Sequence, residues 1–384
     1  MKILIAPDSF KGSLTSLGVA ENIGKGFLRV FPEAEILKVP MADGGEGTLQ
    51  SLVDAYKGEI IKERVTGPLG EEVEAYYGLI ENGFTGVIEI AAASGLTLVP
   101  EEKRNPMKTT TYGTGQLIKR ALEKGVRKLI IGIGGSATND AGVGMAQALG
   151  VKFLDKDGKE IGYGGAELGR IERIDMSLLE PRIKEVHIRV ACDVKNRLYG
   201  REGAAYVYGP QKGASPEMVM ILDENLRHFS RIVERELGVE LQSIEGGGAA
   251  GGLGAGLVAF LKAKLEAGID IVMDAVKLEE KMKKADLVIT GEGCIDGQTV
   301  NGKTPIGVAR KARKYGIPVI AISAITGEGV EKVLYEGIDA VFNIMQRPVS
   351  IEEQPTWEWL QFVSEQIGRV LRLGKIKDSF FNQK

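Results

Sequence analysis

Cysteine and histidine are scarce in this chain of 384 residues, with only Cys192, Cys294, His187 and His228 present. The cysteines follow no disulfide or metal spacing, which removes a stapled secreted scaffold from consideration. The isolated histidines leave zinc or Ser-His-Asp chemistry without its parts. No apolar run approaches the roughly 18 residues that span a bilayer, and the opening MKILIAPDS carries no charged leader. Charge of one sign is also missing. Lys plus Arg total 49 against 52 for Asp plus Glu, a net charge of -3 without a long one-signed run. Neither nucleic acid nor an anionic membrane is therefore indicated as a partner. The expectation is a cytoplasmic enzyme acting on a small molecule.

The chain does have the length for two domains and a large core. It also has 52 glycines, roughly twice the usual share, clustered beside apolar runs and not spread through a low-complexity tract. Short apolar runs at 2–6, 36–39, 287–289, 318–322 and 340–344 alternate with helical patterns, which predicts parallel strands covered on both faces. They imply one doubly wound parallel-sheet domain assembled from both chain ends, 1–66 and 268–384. Residues 60–90 instead alternate around TGPLG and ENGFTG, an antiparallel pattern that opens an inserted α/β domain of mixed sheet, 67–267. Val19, Ala20, Ile23, Phe27 and Val30 keep helical spacing despite Gly18, Gly24 and Gly26. In the inserted domain Leu222, Leu226, Phe229, Ile232, Val233 and Leu237 line one face of a helix over 216–237, a core-packing stripe.

Polar residues gather where these strands end. LVITGEGCIDGQTVNGKT, 287–304, reads as a strand closed by Thr290, then a loop with Glu292, Asp296, Gln298, Thr299 and Lys303, then a helix opened by Pro305. PDSFKGS supplies Asp8, Ser9 and Lys11. PMADGGEGT supplies Asp43 and Glu46, which read equally well as Mg²⁺ carboxylates or as first-turn acids. Ligands of open α/β sheets sit at the carboxyl ends of strands, and helix amino termini attract anions. GQTVNGKT, 297–304, even matches the P-loop letter for letter. GEGCID stands between the strand and its first glycine, so Lys303 is read as a phosphate cation without the P-loop fold.

In the middle of the chain GGSATNDAG offers Gly134, Gly135, Ser136, Thr138 and Asn139, a nest suited to phosphate oxygens. Gly132, Gly134 and Ala137 also satisfy the dinucleotide pattern, with Asp155 as the distal acid. Against that, VKFLDKDGKEI looks like a hairpin, not a parallel strand with a crossover helix. ACDVKN places Asp193 at a strand end, either poised for a cation or starting a local turn. GPQKGA carries Gln211 and Lys212 in a loop, and the glycine tract 246–256 allows either nucleotide contact or tight helix packing, with nucleotide contact favoured.

APDSFKGSL, ADGGEGT, GGSATNDAG, ACDV, GPQKGA, GAAGGLGAG and TGEGCIDGQTVNGKTPIGVA, in this order, resemble the motifs of the bacterial glycerate kinase family, of the glycerate 2-kinase type. The resemblance spans nearly the whole chain. It implies a flavodoxin-like domain interrupted by a second α/β domain, and ATP-dependent phosphorylation of D-glycerate to 2-phosphoglycerate. Phosphorylation at the 3-hydroxyl or of another small hydroxy acid is the alternative, and an NAD(P)-dependent oxidoreductase a weaker one. Phosphoryl transfer needs cations on the phosphates, Mg²⁺ held by carboxylates, and a group that orients or deprotonates the acceptor. Asp296 is expected in that last role, Lys11 and Lys303 on the developing phosphate charge, and Asp193 and Asp43 on the metal. Gly134, Gly135, Ser136, Thr138 and Asn139 are expected on the nucleotide, and Asp8, Ser9, Gln298 and Thr299 on the substrate. A homodimer is compatible with this reading. Two positions are notable: Arg197 stands where the family usually has proline, and Cys294 occupies the variable position of GEGxID.

Overall fold

The computed structural model describes residues 1–10, 13–347 and 357–381, so Lys11 lies outside the described residues. The strands are β1 (Lys2–Pro7), β2 (Glu35–Lys38), β3 (Glu59–Thr66), β4 (Glu72–Ile80), β5 (Thr85–Glu89), β6 (Lys128–Gly132), β7 (Lys152–Leu154), β8 (Arg173–Asp175), β9 (His187–Ala191), β10 (Lys264–Glu266), β11 (Leu287–Ile295), β12 (Val319–Thr326) and β13 (Ala340–Asn343). Two compact units emerge, one of Met1–Asp43 with Val272–Lys384, the other of Gly44–Ile271.

In the first unit five strands run β13-β12-β11-β1-β2, every neighbouring pair parallel. Counted within the unit this is the flavodoxin-like order, and its direction of winding reverses between β1 and β11. Ile3, Leu4, Ile5, Val288 and Ile289 are wholly buried, which accounts for the unbroken apolar runs, since helices cover both faces of such a sheet. Helix Ser16–Leu28, capped by the Thr15 hydroxyl accepting Gly18 N–H, packs against the helix Trp357–Phe381. A Cβ on Gly26 would lie 2.4 Å from the Gln361 carbonyl oxygen. A residue that weakens the isolated helix thus lets the two backbones touch.

The second unit holds a six-stranded sheet, β10-β9-β6-β5-β4-β3, parallel from β10 to β5 and antiparallel beyond. The sequence put the boundaries at 66/67 and 267/268; the compact units divide at 43/44 and 271/272. The difference has a local cause. β3 pairs with β4 along its whole length, and a Cβ on Gly78 of β4 would meet Val53 of helix Thr48–Tyr56 at 2.8 Å. The segment before residue 67 therefore shares its hydrogen bonds and packing with the mixed sheet. Below that sheet Phe153, Phe229 and Phe260 form an aromatic cluster, with Phe153 edge-on to Phe260 at 5.4 Å.

Candidate active site

In the first unit the polar residues collect at the carboxyl ends of β1 and β11, the reversal point where such sheets bind ligands. β11 does not stop at Thr290 as expected. It stays paired with β12 through Ile295, so Glu292 projects from a strand held in register on both sides of Gly291, where a loop was expected. Glu292 is only 8% exposed. The Thr299 hydroxyl donates to its Oε1 at 2.5 Å, and Lys303 Nζ stands 3.6 Å from the same oxygen. Burial pushes Glu292 up to about 7, with Thr299 and Lys303 pulling it down and the nearby Asp8 and Asp296 adding to the rise. An acid with that proton affinity beside an ammonium is equipped for proton transfer at neutral pH.

The expected residues surround it in different roles. Asp296 Oδ1 accepts the N–H groups of Gln298 (2.8 Å) and Thr299 (3.2 Å), and Asp296 N–H donates to the Thr299 hydroxyl at 3.1 Å. Thr299 is fully buried, so it holds Glu292 and does not face solvent. Asp8 is also buried, accepting Ser9 N–H at 2.6 Å and the Thr304 hydroxyl at 2.8 Å. Gln298 is exposed. Because β11 reaches Ile295, strand, P-loop-like segment and helix Thr304–Arg313 do follow one another closely. What separates the segment from a P-loop is its amides. Those of Gly297, Gln298, Thr299 and Asn301 already donate to Glu328 O, Asp296 Oδ1 and Gln298 O, and the Thr304 hydroxyl is engaged by Asp8.

In the second unit the ends of β6 and β9 border a cavity of about 390 Å³ whose wall includes Gly134, Gly135, Ser136, Asp193, Gln211 and Lys212. Gly134 and Gly135 are exposed, and Gly135 has φ of 71°, a conformation that glycine takes at little cost. Thr138 and Asn139, also expected on the nucleotide, are wholly buried next to Ser136 of this wall. The Thr138 hydroxyl meets Ser136 Oγ at 3.0 Å, and both amide atoms of Asn139 lack a hydrogen-bond partner among the described residues. Asp140, also buried, accepts Thr111 N–H and hydroxyl, each at 2.8 Å, plus the amides of Gly142 and Gly144. Burial pushes its carboxyl up while those donors pull it down.

Lys212 is the residue that sequence reasoning named without giving it a role. Only 2% exposed, it donates to Thr138 O at 2.6 Å and to Ser136 Oγ at 3.2 Å. Burial lowers its ammonium to about 7, against the pull of Asp140. Gly209, Pro210 and Gly213 bracket it in a tight turn, but nothing in the sequence marks its side chain as buried. A Cβ on Gly213 (φ 91°) would stand 2.3 Å from Arg104 O.

Of the metal candidates, Asp193 is exposed at the end of β9, where its Oδ1 accepts Gly268 N–H at 2.9 Å. Asp43 is half-buried in the first unit, at the end of a segment that still hydrogen-bonds along β1, Val39 N to Ile5 O and Met41 N to Pro7 O. No group of three His, Cys, Asp or Glu side chains placed to hold a metal occurs among the described residues. The glycine tract favours packing over ligand contact: Cβ atoms on Gly248, Gly251 and Gly256 would lie 2.0 to 2.2 Å from the carbonyls of Arg197, Thr138 and Ala141. Only Ala249 and Ala250 of this tract reach the cavity wall. Arg197 donates to the carbonyls of Gln242 and Ser243, fixing by hydrogen bonds a turn that a proline would stiffen.

The dinucleotide reading fails on topology. After β6 the chain enters β7, which pairs antiparallel with β8 and not alongside β6. Asp155, the distal acid of that reading, closes the following turn by accepting the amides of Asp157 and Lys159 at 3.0 Å each and binds Arg170 at 2.9 Å. No helix among the described residues is long and apolar enough to cross a membrane.

Comparison with known proteins converges on one family. The model of the glycerate kinase family matches residues 3–372. A glycerate kinase of Haemophilus influenzae is 57% identical over 347 residues, covering 90% of this chain and 92% of the relative. The glycerate 2-kinase of Escherichia coli is 52% identical over 353 residues, 92% of this chain and 93% of the relative. A crystal structure of a protein named glycerate kinase 2 from Salmonella typhimurium LT2 superposes with a TM-score of 0.91 at 49% identity, covering 98% of this chain and 99% of that one. The chain belongs to the glycerate kinase family.

Proposed function

We propose that this protein transfers the γ-phosphoryl group of ATP to D-glycerate, at the 2-hydroxyl, releasing 2-phosphoglycerate and ADP. The observation that carries the reading is the cluster at the reversal point of the first sheet: Glu292 buried, hydrogen-bonded by Thr299 and paired with Lys303. In the reaction the acceptor oxygen forms a bond to the γ-phosphorus, the bond to the β,γ-bridging oxygen breaks, and the hydroxyl proton must leave. Glu292 takes that proton. Its affinity near neutrality suits a general base, where an ordinary carboxylate would be a weaker acceptor.

Asp296 acts as a positioning residue, since its carboxylate organises the turn that delivers Thr299 to Glu292. Lys303 supplies positive charge to the transferring group, and Lys11 is assigned the same task from the sequence. Asp8, Ser9 and Gln298 border the glycerate site. Gly134, Gly135 and Ser136 bind nucleotide phosphates in the second unit. Mg²⁺ brought in with ATP would lend positive charge to the phosphates. Asp193 at the end of β9, its Oδ1 accepting Gly268 N–H, would offer a carboxylate oxygen to it in the second unit, and Asp43, a carboxylate of the first unit, is a separate metal candidate proposed from the sequence. The half-buried free thiols Cys192 and Cys294 are in keeping with a cytoplasmic setting, and a homodimer is compatible with this reading.

The test is phosphorus NMR of the product formed from ATP, Mg²⁺ and D-glycerate. A 2-phosphoglycerate resonance with matching ADP is expected. A 3-phosphoglycerate resonance would reassign the acceptor hydroxyl, and absence of glycerate-dependent ADP would end the proposal.

A further inference from the structure

Burying an ammonium without a carboxylate partner is costly, and a buried polar group left short of partners calls for an explanation. Lys212 is such a group. Of its three N–H donors, one goes to Thr138 O and one to Ser136 Oγ, and both acceptors are neutral. Among the described residues no carboxylate lies within ion-pair distance of it. Asp140 acts on it only through space and has its own oxygens occupied by four donors. The remaining charged or titratable side chains on this wall are Asp193, Cys192 and Tyr208. Burial raises both the Cys192 thiol and the Tyr208 phenol, so each stays neutral. The cavity thus presents a cation with spare donor capacity beside the exposed Gly134 and Gly135.

We propose that Lys212 is the oxyanion-binding cation of the second unit's cavity, its third N–H reserved for a phosphate oxygen of the bound nucleotide. The proposal rests on the reading that this cavity takes the nucleotide. Held near 7 by burial, the amine of the free protein is largely neutral on the alkaline side, and an arriving oxyanion stabilises its charged form. Binding is therefore coupled to proton uptake by Lys212, a linkage that a purely structural lysine does not show.

The experiment is calorimetric titration of the whole protein with ADP, and separately with D-glycerate, at about pH 8, where nucleotide phosphates are already ionised. Running each titration in two buffers of different ionisation enthalpy counts the protons taken up. ADP should bring in up to about one proton per site. In Lys212→Met, checked for its fold by circular dichroism, that uptake should vanish and ADP affinity should fall roughly 10- to 100-fold, the cost of a charged hydrogen bond, with glycerate affinity unchanged. If uptake and weakening follow glycerate instead, Lys212 remains an oxyanion contact, for a carboxylate, and the nucleotide assignment of the cavity is overturned. Absence of uptake by the wild-type protein with either ligand overturns the proposal however the variant behaves.

Discussion

Glu292 in the first unit and Lys212 in the second are a matched pair of opposites. One is an acid and the other a base, and burial drives both to proton affinities of about 7. The cause is the same, since taking a charge out of water disfavours the ionised form whichever its sign. Their surroundings differ. Glu292 keeps a cation at 3.6 Å and a donated hydroxyl at 2.5 Å, which support its ionised state, while Lys212 meets only neutral acceptors. Glu292 is thus equipped to exchange a proton during turnover, and Lys212 to acquire one when an anion arrives. Variants that remove one member, or alter what holds it, test that contrast.

The largest effect is expected from Glu292→Gln. Removing a general base typically costs about 10²- to 10⁴-fold in turnover, and since Gln keeps the size and one acceptor oxygen, KM for D-glycerate should change by only a few-fold. In the wild-type enzyme kcat/KM should rise with pH through a limb centred at about 7. Steady-state kinetics across pH should show that limb missing from the variant. If turnover and limb both survive, the proton goes elsewhere.

Glu292 also shows how far the sequence could be read. The parallel runs, the antiparallel stretch and the helix stripe were legible because period and length carry them, and the polar loops because strand ends collect function. The length of β11 was not legible. GEGCI lacks the apolar run that marks a buried strand, and what holds it in the sheet is hydrogen bonding from β12, a contact between segments far apart in the chain. Asp296 therefore stood out as the loop acid, while Glu292 passed for a loop residue. Lys212 was hidden for a related reason, because lysine is a surface residue by default and only the fold of Thr138 and Ser136 around it shows otherwise. The boundary near 66 misled because β3 and β4 form a local hairpin, whereas helix Thr48–Tyr56 belongs with that hairpin only through packing.

Next in size are the groups that hold Glu292. Asp296→Ala strips the acceptor from two backbone amides and should lower turnover roughly tenfold, in line with one or two lost charge-assisted hydrogen bonds. Asp296→Asn retains the acceptor oxygen and should recover most of that loss. Kinetics placing Asp296→Asn as low as Glu292→Gln would exchange the two roles. Thr299→Val deletes the hydroxyl that favours ionised Glu292, so its rising limb should move to higher pH, with a few-fold loss at neutrality and little change on the plateau. An unmoved limb would show that Thr299 does not govern the acid.

The smallest effect returns to the opposition of sign, this time in stability. Glu292 binds its proton more tightly folded (about 7) than at its ordinary value of 4.5, so its contribution to stability is full below 4.5 and lost as pH rises through 7. Lys212 is lowered from 10.5 to about 7. The unfolded chain therefore binds more protons between those values, and its penalty is full below 7 and relieved toward 10.5. Substituting either residue by a neutral one cancels its pH-dependent part. Relative to wild type, Glu292→Gln should gain in Tm as pH increases from about 5 to about 8, and Lys212→Met should lose in Tm over the interval from about 7 to about 9.5, each by on the order of a few degrees. Thermal melts of both variants across that range measure the two slopes. Equal signs would mean that desolvation is not the common cause, because burial disfavours whichever form is charged and so raises an acid while lowering a base.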